Sequence, residues 1–424
     1  MRYLLILCIL LTACKSDPKD SKEIKEEPTH HEMSEKKVSP IANPVKGNSS
    51  LPRLYSNGEA LYMSWVTVKD SVSILHYSSY SAANKWDRPR EIARGSDWFV
   101  NWADFPAIAE NNGNILTNLL QKSADGTYTY DVKLNLFNPK ESTFTDNWKK
   151  NFIAHNDGTK SEHGFVSILP YVEDGFFISW LDGRNTSGGG HGDHDKMESA
   201  GAMTLRAATV TSSGKIINAV ELDDKVCDCC QTSAALTENG PIVVYRDRSN
   251  EEIRDISIVR LIDNKWSEPE PVGIDRWKIP GCPVNGPSVD ALGSNVVVAW
   301  FTAVKGEGDV KVIFSEDNGA TFGNAFTIDS GSATGRVDVV MLDDTEAAVL
   351  WMEPKGEDEV IQLMKINKHG YSQPPVTVSK TSADRAAGFP QLERVGDQLF
   401  LAWTVVGEEK DKTIKTASFR IDLL

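Results

Sequence analysis

From residue 50 to the C-terminus the apolar residues fall in short runs separated by Asn, Gly and Asp turns. No stretch repeats them at the spacing of a useful amphipathic helix. One unit recurs: a strand entered at Pro or Gly, a tight turn, then a second, more apolar strand that closes near a large side chain. The second strands read Ala60–Val66, Ile115–Gln121, Phe176–Leu181, Ile242–Arg246, Val296–Phe301, Ala347–Trp351 and Gln398–Trp403. Their markers are Trp65, Leu119, Trp180, Tyr245, Trp300, Trp351 and Trp403, stepped by 54, 61, 65, 55, 51 and 52 residues. Strand-only units at this period specify an all-β fold, a β-propeller of four-stranded blades.

A second marker fixes the register. Trp86, Trp148, Trp266, Phe322 and Tyr371 follow the first markers by 20 to 29 residues and open the last strand of their units. Pro89, Pro269 and Pro374 lie three residues beyond three of these aromatics, where an outer edge strand tolerates a missing N–H. Seven blades are expected, the last one short of a strand that Val38–Val45 supplies; six blades plus a hairpin is the alternative. Joining both termini in one blade removes the exposed edges of an open ring.

The N-terminus reads as an address. Arg2 precedes an apolar run from Tyr3 to Thr12, too short to span a bilayer and suited to a signal peptide. The run ends in Leu11-Thr12-Ala13-Cys14, which resembles the lipobox of bacterial lipoproteins. That resemblance implies a signal peptide over 1–13, lipid on Cys14, and a cell-envelope location at the outer membrane, its side left open. Acyl chains would be the membrane contact. Residues 14–37 are then a lipidated, polar tether, and 38–424 the propeller.

The chain also resembles the sialidase-like, Asp-box propellers. Ser315-Glu316-Asp317-Asn318-Gly319-Ala320-Thr321-Phe322 matches S-x-D-x-G-x-T-W/F, and Ser123-Ala124-Asp125-Gly126-Thr127 is a degenerate remnant. The box shapes a turn between third and fourth strands and is not an active site. The resemblance implies a site on the opposite face, built from blade-to-blade links and the loops between second and third strands. It implies an arginine clamp for a carboxylate, an acidic acid/base and an activated nucleophile. Arg184, Arg246, Arg248, Arg254 and Arg336 are the candidate anion ligands, with Trp102, His163 and Asn285 on the same rim. Asp104, Asp182 and Asp247 are candidate acids, and Glu252 a helper. The partner expected is an anionic glycan, which a retaining glycosidase would hydrolyse. No Tyr is assigned as nucleophile, and the early Arg-Ile-Pro motif is absent. The competing reading is that Arg–Asp pairs tie neighbouring blades together.

Cys227, Cys229, Cys230 and Cys282 remain once Cys8 and Cys14 are set aside, all in two successive links on that face. Outside the cytoplasm, disulfides are the first expectation. The rival is a soft-metal or redox site, with His163, or His191 and His194, as further ligands. No other cofactor is expected. With 45 Lys and Arg against 60 Asp and Glu, the net charge of −15 argues against nucleic acid. No phosphate loop, H-E-x-x-H or G-x-S-x-G motif is present. A monomer is expected, with a non-catalytic scaffold that presents its mouth to a protein partner as the third reading.

Overall fold

The computed structural model describes residues 38–81, 85–186 and 201–424. Cys14, the signal and tether segments, His191 and His194 lie outside the described residues. Seven antiparallel sheets stand in a ring, a seven-bladed β-propeller. Each second strand expected from the sequence is the second strand of its blade, from Leu61–Lys69 in blade 1 to Gln398–Val406 in blade 7. Blade 7 holds Gln391–Val395, Gln398–Val406 and Lys412–Arg420, and Ser39–Ile41 completes it, with Ser39 opposite Ser418 and Ile41 opposite Thr416. The six-bladed alternative is thereby excluded.

The markers repeat because each tryptophan packs back onto the preceding blade. Trp180 joins Leu116 and Val132 of blade 2, and Trp300 joins Ile242 and Ile258 of blade 4. Trp351 joins Val297 and Val312 of blade 5, Trp403 joins Leu350 and Leu363 of blade 6, and Trp65 closes the ring on Phe400 and Ala402 of blade 7. A buried Trp removes 150–250 Å² from water, about 4–6 kcal/mol of apolar transfer each. Second strands lie between two neighbours, so both faces are covered, and Gly175–Asp182 is buried along its whole length.

The outer strands are short. In blades 1 and 4 the strand is split in two, Lys85–Trp86 then Arg90–Gly95, and Lys265–Trp266 then Glu270–Pro271. Pro89 and Pro269 sit at the breaks, where they cannot donate to the ladder. Phe322 and Tyr371 do not open their strands. Phe322 packs against the core shared by blades 4 and 5, and Tyr371 is 76% exposed ahead of Val376–Thr381. The Asp box makes the expected turn: Ser315 Oγ donates to Asp317, and Thr321 donates to it through N and Oγ1. Gly319 sits at φ +77°, and a Cβ there would lie 2.8 Å from Ile258 Cδ1.

Inner strands of blades 1, 3 and 6 carry a bulge that the sequence pattern did not reveal. Leu51, Phe165 and Arg336 adopt φ of 60°, 55° and 53° where the register breaks. A bulge turns a backbone N–H out of the ladder. The Phe165 N–H meets Asp104 Oδ1 at 2.9 Å, and the Arg336 N–H meets Asn285 Oδ1 at 2.7 Å. In blades 3 and 6 the bulge thus links an inner strand to the segment that enters the blade before it. Along the axis, Arg53 Nη1 donates to Gln391, Ser288 to Asp338, and Gln231 to the Ala103 carbonyl. The cavity left there is about 50 Å³, room for a water or two and too small for a sugar.

Candidate functional site

Two polar clusters form where links and second-to-third-strand loops meet. The first gathers on blade 4. Cys227, Cys229 and Cys230 lie in the link between Ile216–Val226 and Ser233–Thr237. Cys227 Sγ is 4.0 Å from Cys229 Sγ and 3.6 Å from Cys230 Sγ. Cys282, from the next link, reaches Cys229. A disulfide needs about 2.05 Å between sulfurs, so the expected bridges are not formed and all four cysteines are free.

The loop after Gly240–Arg246 brings cations to the thiols. Arg254 is 1% exposed and donates from Nη1 to Cys227 Sγ at 3.2 Å and from Nη2 to Glu252 at 2.8 Å. Arg246, 2% exposed, donates only to neutral carbonyls: Arg254 O at 2.7 Å, Phe301 O at 2.7 Å, and Asn285 O at 2.9 and 3.2 Å. It stacks over Trp277, 4.9 Å from the ring centre. Arg248 bridges Asp228 at 3.3 Å and Glu252 at 2.9 Å. Burial pushes the Cys227 thiol up, but hydrogen bonds from Cys229 and Cys230 and the charges of Arg254 and Arg246 hold it well below the ordinary thiol range. Its neighbours move the other way: the Cys227 hydrogen bond raises Cys229, and burial raises Cys230. Cys227 Sγ thus sits between two other thiols and the Arg254 guanidinium, with the charge of Arg246 close by.

The second cluster lies between blades 2 and 3. His163 opens His163–Tyr171, and Asp182 ends Gly175–Asp182 directly opposite it. Arg184 grips Asp182 bidentately, at 2.7 Å through Nε and Nη2. His155, Asp157 and Asp131 join them. The sequence reading missed these three. Their one signal was His155-Asn156-Asp157, eight residues before His163 in the same link.

The remaining candidates are engaged with neighbouring protein groups. Asp104 is 3% exposed, and burial raises its carboxyl well above the usual range. Asp247 accepts from Ser257 Oγ at 3.0 Å, and burial raises it too. Against the effect of its burial, Glu252 is kept low by Arg248 and Arg254. Arg336 donates to the carbonyls of Ala383, Asp384 and Gly388, over Trp102. Asn285 ties blade 5 to Thr334 and Arg336. Arg246, Arg254 and Arg336 therefore face protein partners and do not converge on one open anion site. What the mouth does bring together is the cysteines with Arg246, Arg248, Glu252 and Arg254, and His163 with Asp182 and Arg184.

The fold and these clusters define a seven-bladed propeller with a polar, cysteine-bearing mouth. No protein-family model and no curated protein matches the chain. An ulvan lyase, a polysaccharide lyase solved with a bound saccharide, aligns over 91% of this chain and 94% of its own, at 11% identity and TM-score 0.52. A protein of unknown function from Dyadobacter fermentans aligns over 91% and 97%, at 11% identity and TM-score 0.49. The endosialidase of phage phi92 aligns over 91% and 69%, at 8% identity and TM-score 0.47. At such identities the likeness is one of fold alone.

Proposed function

We propose that this protein binds a thiophilic d10 metal ion, Cu(I) or Zn(II), through Cys227, Cys229 and Cys230, with Cys282 as the adjoining donor. The propeller would be held at the bacterial cell envelope by lipid on Cys14. One observation carries the reading: three free thiols converge beneath two buried guanidiniums, one of which has only neutral hydrogen-bond partners. A buried cation calls for a counter-charge, and thiolates supply it. The sulfur separations of 3.6 and 4.0 Å bracket the ~3.8 Å edge of a tetrahedron with ~2.3 Å metal–sulfur bonds. Thiolate donors select Cu(I) or Zn(II) over hard cations. Arg254 and Arg246 offset the excess negative charge that three thiolates leave on a d10 ion.

The test is a competition titration of reduced protein with Cu(I) and with Zn(II). One tightly held equivalent per chain is expected. Cys229→Ser should weaken it by more than the ~10–100-fold typical of outer-sphere changes. Equal affinity in that variant overturns the reading.

A second reading places an anionic glycan at the same mouth, as the fold likeness to glycan-active propellers suggests. The observation in its favour is Arg385, exposed and 5.9 Å from the ring centre of Trp102, which stacks on Phe389 at 5.8 Å. A guanidinium beside an accessible indole suits an acidic sugar. Asp104, Asp182, Asp247 and Glu252 are all engaged with protein groups, so the reading is binding rather than hydrolysis. Calorimetry with uronate- and sialate-bearing oligosaccharides tests it: binding lost in Arg385→Ala supports it, and no binding by the unaltered protein ends it.

A further inference from the structure

The cluster between blades 2 and 3 carries a second inference that does not depend on the thiols. His155 and His163 are 5% and 0% exposed, and their rings stack 3.6 Å apart with planes at 8°. Their tautomers follow from their partners. A carboxylate can only accept, so His155 Nδ1, 2.8 Å from Asp157 Oδ2, donates. A carbonyl can only accept, so His163 Nδ1, 3.3 Å from Tyr130 O, donates. In the neutral rings both Nε2 atoms are then lone pairs, and neither makes a hydrogen bond.

Those lone pairs face carboxylates. His155 Nε2 is 3.9 Å from Asp131 Oδ1; His163 Nε2 is 3.2 Å from Asp157 Oδ2 and 3.6 Å from Asp182 Oδ1. Such an arrangement repels itself unless a cation lies within it. Protonating both rings would stack two buried imidazoliums. Thr159 donates to Asp157 Oδ1 through its backbone N–H and its hydroxyl, which leaves Oδ2 turned toward His163. Arg184 pairs with Asp182 and also lies 3.5 Å from Asp157, Arg206 comes within 4.0 Å of Asp182, and Lys133 approaches Asp131 at 3.2 Å, but none of these cations gives either Nε2 lone pair a donor.

We infer that His163 Nε2, Asp157 and Asp182 hold a divalent first-row metal ion, with His155 and Asp131 as adjoining donors. The separations of 3.2 and 3.6 Å bracket the ~3.3 Å edge of a tetrahedron with ~2.0–2.1 Å bonds. Each imidazole sends its other N–H to a carboxylate or a carbonyl, the orientation that ligating histidines take. Imidazole with carboxylate suits Zn(II) or Co(II) and disfavours Mg(II) and Ca(II). The ion would pin the link before blade 3 to the end of its second strand.

Cobalt separates this site from the thiols, because only sulfur ligation gives an intense near-ultraviolet charge-transfer band. The test protein is the full chain with Cys227→Ser, Cys229→Ser and Cys230→Ser. It should take up one Co(II) per chain with visible d–d absorption and no sulfur band. Adding Asp157→Asn should weaken uptake by at least ~10-fold with an unchanged circular dichroism spectrum. A folded triple variant that binds neither Co(II) nor Zn(II) overturns the inference, as does unchanged affinity in Asp157→Asn. Should the triple variant not fold, His163→Gln in the otherwise unaltered chain decides. Loss of one of two Co(II) equivalents, with its share of the d–d absorption and with the sulfur band intact, supports the site, and unchanged stoichiometry and spectrum refute it.

Discussion

Replacing Arg246 by Met separates a structural guanidinium from a ligand clamp. Arg246 is 2% exposed, and its donors satisfy the carbonyls of Arg254, Asn285 and Phe301 in three segments of blades 4 and 5. Met fills much of the volume but donates nothing. Each buried acceptor left unsatisfied costs about 1–3 kcal/mol, so three cost about 3–6 kcal/mol after relaxation. For a domain of this size that is a fall in melting temperature of roughly 5–10 °C. The Cys227 thiol should rise as well, because one of the charges holding it down is gone. Differential scanning calorimetry of Arg246→Met beside the unaltered protein reads the first effect, and alkylation rate against pH reads the second. A variant that melts where the parent does, yet loses a carboxylate ligand, would refute this reasoning and restore the clamp.

Cys282 is exposed, and the Cys229 hydrogen bond lowers its thiol below the ordinary value. It should be the first cysteine alkylated in apo protein, at a pH below that of the unfolded chain, and metal loading should protect it; mass spectrometry of the labelled peptides reads both. Asp223 and Asp290 are pushed up to about 6 by burial. Groups raised in the folded state favour it when protonated, so stability is full below about pH 4 for these two and declines as pH rises through 6. Urea midpoints should therefore drop between pH 5 and pH 7, and less so in Asp223→Asn; a flat profile contradicts the assignment. Gly319→Ala forces φ +77° and a 2.8 Å contact with Ile258, and should cost about 1–3 kcal/mol by chemical denaturation without altering metal binding. Removing residues 1–45 strips Ser39–Ile41 from blade 7 and should lower the melting temperature with cooperativity reduced; an unchanged transition would mean the ring does not depend on that closure.

The ring was legible because its cause is local and repeated. A large apolar side chain, Trp in five blades of seven, recurs where one blade packs on the last, and a second strand covered on both faces must be apolar throughout. The closing strand was legible because the last unit lacked one. Convergence of the four cysteines followed from the order of links around the ring. Their oxidation state did not, since spacing says nothing of sulfur–sulfur distance. Arg246 and Arg336 read as ligands because a guanidinium signals charge and donors whatever it faces; only the structure shows carbonyls in front of both. The bulges at Leu51, Phe165 and Arg336 left no trace, since none of the three is a residue that favours positive φ. His155 and Asp157 looked like link polarity until the fold set them against Asp131, His163 and Asp182.

X-ray absorption at the metal edge of the Cu(I)- or Zn(II)-loaded full chain tests the thiolate centre most directly. A shell of three to four sulfur atoms at about 2.3 Å is expected, and it should vanish in Cys227→Ser, Cys229→Ser, Cys230→Ser. A shell of nitrogen and oxygen alone, or protein that binds no metal and carries disulfides among these four cysteines, would contradict it.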